Sequence, residues 1–277
     1  MSKNHVIVTG ASRGLGEAVV RHLAEKNWAI SFGARSHDAL KSIKNELPGP
    51  TDNYFIERLD VSDEQNVASF FDQAIAVSGV PTAVVHSAGV YGPFGATKSI
   101  NANDWMASIK VNLLGTLLVL QRSIIEMEKE QFGRIIVLSG GGATSPMPNI
   151  SAYAASKSGV VRLVETVARE LSQTGIVLNA VAPGLMATKM LDEVLEAGPA
   201  VVGREFYERM ELAKENQEDS TLDAVELISF LVQNTIPGLT GRLISAKWDP
   251  WRQWIQDASS LADSENYTLR RQVPASD

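Results

Sequence analysis

Short β-branched runs alternate with longer amphipathic stretches along most of this chain, and no other feature constrains the fold as strongly. Strands are predicted at His5–Thr9, Trp28–Phe32, Tyr54–Leu59, Ala83–His86, Arg134–Ser139, Val177–Ala182 and Arg242–Ser245. Helix-length segments lie between them, among them Leu15–Lys26, Asp63–Val77, Asp104–Glu130 and Ala152–Thr174. Short apolar runs separated by helices read as strands buried on both faces, the pattern of parallel βαβ units. Right-handed crossovers then give an α/β fold, a single doubly wound parallel sheet with helices on both faces.

One domain is predicted over residues 1–247, followed by a C-terminal extension over 248–277. Within the domain, residues 186–217 follow the sixth strand and read as a helical substrate lid, with Gly198-Pro199 as the break between two helices. In the extension, Trp248, Trp251 and Trp254 are spaced i, i+3 and i+6, roughly one helical face. Three tryptophans on one face are expected to bury, on their own domain or on a neighbouring subunit.

Composition narrows the function classes. Lys plus Arg total 25 against 32 Asp plus Glu, a net charge of -7, which argues against nucleic acid and anionic membrane surfaces as partners. The absence of cysteine excludes disulfides, thiolate nucleophiles and cysteine-held metals. His5, His22, His37 and His86 lie far apart in sequence, so no metal site is predicted. Val6-Ile7-Val8 reads as a buried strand too near the start for a signal peptide, and no run approaches 18 apolar residues, so a cytoplasmic protein is expected.

The first strand runs into Thr9-Gly10-Ala11-Ser12-Arg13-Gly14-Leu15-Gly16 and then into a helix. Glycines there let the backbone turn tightly and approach a pyrophosphate at the helix N-terminus. The spacing is Gly-x3-Gly-x-Gly rather than the commoner Gly-x-Gly-x-x-Gly. About 20 positions later a 2′-hydroxyl reader would be acidic. The second strand instead leads into Arg35, with no carboxylate before Asp38. Arg35, joined by Arg13, is placed to meet a 2′-phosphate, which favours NADP(H) while leaving NAD(H) open.

In Ser151-Ala152-Tyr153-Ala154-Ala155-Ser156-Lys157, Tyr153 and Lys157 are i and i+4 on one helix face. A lysine ammonium beside a phenol is expected to lower its pKa, so that it exchanges a proton with a carbonyl or alcohol oxygen.

Taken in order, Thr9-Gly10-x3-Gly14-x-Gly16, Asp60-Val61, Ser87-Ala88-Gly89, Asn112, Tyr153-x3-Lys157 and Pro183-Gly184 with Thr188 resemble the short-chain dehydrogenase/reductase family over about residues 5–245. The resemblance implies a Rossmann-like fold and hydride exchange between a nicotinamide and a carbonyl or secondary alcohol. It implies that Ser12 and Leu15 join the glycine turn against the cofactor, that Asp60 and Val61 line the adenine pocket, and that Ser87, Ala88 and Gly89 support the cofactor. Pro183, Gly184, Met186 and Thr188 would lie by the nicotinamide, with Thr188 bonding its carboxamide. Tyr153 would be the general acid/base, Lys157 would hold the ribose hydroxyls and tune Tyr153, and Asn112 would anchor a water linking Lys157 to solvent. Assembly as a homodimer or homotetramer, through the helices holding Asn112 and Tyr153, is implied as well.

Two places depart from the family pattern. Ser87 stands where an asparagine is usual. An ungapped overlay on Tyr153 puts Gly140 where the family carries a serine that hydrogen-bonds the substrate oxygen, with Ser139 one residue earlier. Neighbours on a strand point to opposite faces, but Gly140-Gly141-Gly142 is permissive backbone that can re-aim Ser139. Ser139 is taken as the substrate-polarising group, with Thr144 and Ser145 as other hydroxyls on the same loop. The missing serine motivates an alternative, a cofactor-binding regulatory or scaffold protein with weak or no turnover.

Overall fold

A computed structural model of the chain describes residues 4–216, 219–254, 261 and 264–271. Gln217, where the predicted lid ends, and residues 255–260, 262–263 and 272–277 of the predicted extension lie outside the described residues. Seven parallel strands form one sheet in the order β3-β2-β1-β4-β5-β6-β7. They are β1 (His5–Thr9), β2 (Ala29–Ala34), β3 (Tyr54–Arg58), β4 (Ala83–His86), β5 (Gly133–Leu138), β6 (Ile176–Ala182) and β7 (Leu243–Ser245). The helices are α1 (Gly14–Glu25), α2 (His37–Glu46), α3 (Glu64–Ser78), α4 (Ala102–Ile109), α5 (Gly115–Glu130), α6 (Ser151–Glu170), α7 (Lys189–Ala197), α8 (Pro199–Val202), α9 (Arg204–Glu215) and α10 (Thr221–Gln233).

Strand periodicity divides the core. On β1, Val6 and Val8 face one side with α1, α2 and α10, whereas Ile7 faces the other with α3, α5 and α6. Each helix presents a matching stripe. Leu15, Val19, Val20, Leu23 and Ala24 are the buried face of α1, and Val67, Phe70, Phe71 and Ala74 that of α3. Asp63 caps α3 by accepting from the Asn66 N–H. The stretch Ala102–Glu130 is long and apolar enough to cross a bilayer by composition. Its inner face, including Leu118, Val119, Leu120 and Met127, is packed in the second core cluster.

Several boundaries differ from the sequence reading. The second strand extends two residues further, because Gly33 and Ala34 continue the ladder with Glu57 and Arg58. Glycine is required at position 33, where a Cβ would lie 2.7 Å from both Leu59 and Phe70. The predicted helix 104–130 is interrupted by a π turn over Lys110–Leu114. The lid breaks twice, at Gly198 (φ 78°) and at Gly203 (φ 89°), giving three helices instead of two.

The tryptophans do not share one buried face. Trp251 and Trp254 are buried against the first core cluster, but Trp248 is 77% exposed. Asp249-Pro250 breaks the helical register between them: the Asp249 carboxylate accepts from the Ser245 N–H, and the 3-10 turn starts only at Trp251. The described tail packs on its own chain. The Leu243 N–H donates to the Tyr267 carbonyl, and the Arg242 guanidinium donates to the carbonyls of Leu261, Ser264 and Asn266.

Arg242 is buried, so its hydrogen bonds are made away from water and its loss leaves those carbonyls without their donor. Arg242→Met is expected to cost about 2 kcal/mol or more, read as a lower Tm together with faster proteolysis of residues beyond 250. Unchanged melting and cleavage would contradict this account of the tail.

Candidate active site

The strand order reverses direction between β1 and β4, and a crevice opens at the C-terminal ends of such neighbours. Two backbone segments meet there. A Cβ on Gly10 (φ 67°) would lie 2.6 Å from the Ala88 nitrogen, so only glycine lets the turn pass the loop after β4. A Cβ on Gly16 would lie 2.5 Å from the Gly10 carbonyl oxygen, which holds the start of α1 against the same turn. Side chains tie the junction: Thr9 Oγ1 lies 2.8 Å from His86 Nδ1 and accepts from the Ala88 N–H at 3.4 Å. Burial holds His86 neutral, its pKa lowered to about 3, with the Lys157 charge adding to the effect.

From this junction a cavity of about 1450 Å³ runs to the lid. That exceeds the roughly 300–1,000 Å³ of a drug-sized pocket and gives room for a dinucleotide with a second molecule beside it. One end is walled by Arg13, Arg35, Asp60 and Val61. The Asp60 carboxylate accepts from the Ser62 hydroxyl at 2.6 Å and the Ser62 N–H at 3.0 Å. These bonds hold it below the usual carboxylate range, and the charges of Arg35 and Arg58 add to the effect. Further along the wall come Ser12, Gly14, Leu15, Ser87, Ala88 and Gly89, then Pro183, Gly184, Met186 and Thr188. The Thr188 methyl lies 3.3 Å from where a Gly14 Cβ would sit, so the loop after β6 closes over the glycine turn. The glycine cradle and the paired arginines fit a nicotinamide dinucleotide.

Tyr153, Lys157 and Ser139 line the far half of the cavity. The left-handed turn at Asn149 (φ 64°) leads the chain into α6, which carries both Tyr153 and Lys157. Lys157 Nζ donates to the Leu138 carbonyl at 2.8 Å and lies 5.8 Å from the Tyr153 ring centroid. Asn112 is set back from the cavity wall, in the π turn, a helical irregularity common at functional sites. Its Oδ1 accepts from the Val90 N–H at 2.9 Å, and its Nδ2 donates to the Val90 carbonyl at 2.8 Å and to Ser156 Oγ at 2.9 Å. A Cβ on Gly89 would lie 3.4 Å from Asn112 Oδ1 and 3.5 Å from Lys157 Nζ, so both groups look onto one small gap. Gly16 also sits behind the wall and shapes the turn through packing alone.

Burial dominates the electrostatics of this pair. It pushes the Tyr153 phenol well above its ordinary value, with Tyr91 adding to the effect, and pushes Lys157 down to about 8. The lowered phenol expected from the Tyr153–Lys157 spacing is therefore not what this cavity produces: at neutral pH the Tyr153 hydroxyl keeps its proton.

At Gly140 a Cβ would lie 2.2 Å from the Tyr153 oxygen, so the phenol occupies the space that a side chain there would need. The Ser139 N–H donates to the Val181 carbonyl, and its Oγ is buried in the cavity wall without a hydrogen-bond partner. Thr144 and Ser145 stand exposed on the rim. Sequence reasoning overlooked Tyr91, whose ring packs edge-on against Tyr153 with centroids 4.8 Å apart. The signal available was an aromatic residue two places after Gly89. Tyr267 and Leu269 of the tail also reach the wall, as does exposed Trp248.

The sequence matches the short chain dehydrogenase family over residues 4–198. It is similar to the NADPH-dependent aldehyde reductase-like protein, chloroplastic, of Arabidopsis thaliana, with 30% identity over 252 residues, covering 86% of this chain and 90% of that protein. It is also similar to the 3-oxoacyl-[acyl-carrier-protein] reductase FabG of Staphylococcus aureus, at 27% identity over 239 residues, covering 86% of this chain and 94% of the relative. A short chain dehydrogenase/reductase from Saccharomyces cerevisiae shares the fold with a TM-score of 0.83, at 24% identity over 91% of this chain and 99% of that one. The solved structure of ElxO with NADP bound gives a TM-score of 0.77 at 26% identity, covering 88% of this chain and 97% of that one. With its glycine turn, its switch-point cavity and this match over most of its length, the chain belongs to the short-chain dehydrogenase/reductase family of nicotinamide-dependent oxidoreductases.

Proposed function

We propose that this protein is an NADP(H)-preferring carbonyl reductase acting on a small-molecule ketone or aldehyde, with Tyr153 as the proton donor. The observation that carries the reading is Tyr153 beside Lys157 in the wall of a cavity that begins at a dinucleotide-shaped glycine turn. A protonated phenol is the form that protonates a carbonyl oxygen as it becomes an alcohol. When bound, the nicotinamide supplies the hydride.

The chain's own residues do the rest. Gly10, Gly14 and Gly16 allow the backbone to approach a pyrophosphate at the start of α1. Arg13 and Arg35, both exposed at one end of the cavity, meet a 2′-phosphate. The NADPH-dependent relative and the NADP-bound neighbour support that preference. Lys157 holds ribose hydroxyls and returns a proton to Tyr153, and Asn112 holds the water that connects Lys157 to solvent through the gap at Gly89. Thr188 fixes the carboxamide end. Met106 on α4, Leu114 in the π turn and Ile125 on α5, all exposed, support pairing of two copies through this stretch.

The reading is tested by following NADPH oxidation against a panel of aldehydes and ketones. Tyr153→Phe is expected to lower turnover by about 10²–10⁴ while leaving NADPH binding intact. Wild-type rates in the phenylalanine variant would overturn the role of Tyr153. For cofactor choice, Arg35→Ala is expected to weaken NADPH binding by about tenfold, the scale of one charge-assisted hydrogen bond. NADH binding should hold steady. An equal loss for both cofactors, or none for either, would remove Arg35 from the 2′-phosphate site.

A further inference from the structure

The cavity has a proton donor in Tyr153 but no side chain at Gly140, where the family serine would share the substrate oxygen. Of the hydroxyls on this segment, Ser139 Oγ is buried in the cavity wall without a hydrogen-bond partner, and Thr144 and Ser145 stand out at the rim. Position 140 cannot carry a side chain while Tyr153 keeps its place.

Tyr91 is the further hydroxyl that the cavity offers beside Tyr153. It lines the same cavity, and its ring is in edge contact with that of Tyr153. On its other side it packs with the lid cluster of Val194, Val202 and Met210, so its position is fixed from two directions. Among the described residues its hydroxyl has no hydrogen-bond partner, leaving the proton available to a ligand. Burial pushes this phenol up to about 12, with Arg209 and Glu193 acting in opposite directions. Tyr91 is thus a donor throughout the working pH range. The two phenols also oppose each other's ionisation, so loss of the Tyr153 proton holds the Tyr91 proton in place. Lys157 lies beside Tyr153, which assigns the mobile proton to Tyr153 and the fixed one to Tyr91.

We propose that Tyr91 donates the second hydrogen bond to the substrate carbonyl oxygen, in place of the serine absent at Gly140. This rests on the reductase reading above. Tyr91 keeps its proton throughout; Tyr153 gives its own to the oxygen, and the alcohol leaves with one added hydride and one added proton.

The test is Tyr91→Phe, which preserves the ring, its contact with Tyr153 and its packing under the lid. Turnover is expected to fall by about 10²–10³, the cost of removing one donor from an oxyanion-type site, with NADPH affinity and Tm unchanged. Turnover at the wild-type level, in a preparation where Tyr153→Phe is inactive, would overturn the role of Tyr91 and leave the reductase reading standing. A wild-type protein silent on the whole panel would instead count against that reading. In that case the carbonyl stretch of ¹³C-labelled acetophenone, bound in the presence of NADP⁺, decides the matter. Tyr91→Phe should move the stretch to higher frequency, and an identical band in wild type and variant would overturn the inference.

Discussion

The backbone of Gly10 passes so close to that of Ala88 that a Cβ at position 10 would lie 2.6 Å from the Ala88 nitrogen. That contact brings the end of β1 against the loop after β4, where the sheet changes its winding direction. The cavity depends on it. Thr9 and His86 clamp the two strand ends from beneath, and Gly16 lets α1 begin where an anion can meet its N-terminus. From the other side Asn112 fastens the same loop to α6 through Val90 and Ser156, so the turn and the Tyr153–Lys157 pair are parts of one hydrogen-bonded frame. Displacing the β1–β4 junction would move the glycine turn and the Tyr153–Lys157 pair together.

Within that frame, desolvation sets the protonation states. Tyr153 and Tyr91 are both pushed up, whereas Lys157 and His86 are pushed down. A dry wall penalises whichever form of each group is charged. The result is a cavity whose phenols are both donors at neutral pH, a condition suited to an oxygen that gains negative charge during reduction.

Much of the architecture was legible in the sequence because parallel strands and their helices advertise themselves by periodicity. Val6 and Val8 separate from Ile7 by simple alternation, and the seven strands lie where the apolar runs put them, within a few residues. The order of glycine turn, Asn112 and Tyr153-x3-Lys157 led to the family. What escaped was local and three-dimensional. The π turn around Asn112 keeps a helical pattern and so leaves no trace in periodicity. Asp249-Pro250 separates Trp248 from Trp251 and Trp254 although their spacing suits a helix. Tyr91 carries no motif; only its contact with Tyr153 singles it out. The direction of the phenol shift is not legible either, because spacing reports the lysine nearby but not the water excluded around both groups.

The central claim is that the cavity brings a nicotinamide and a carbonyl together so that hydride passes directly between them while Tyr153 supplies the proton. Its most direct test is isotopic. Reduction of a carbonyl compound turned over by the protein is run with NADPH carrying deuterium at the transferred position of C4, and the alcohol is examined by mass spectrometry and NMR. The account predicts one deuterium, bound to the carbinol carbon in a single configuration. An alcohol formed without deuterium at that carbon would contradict it.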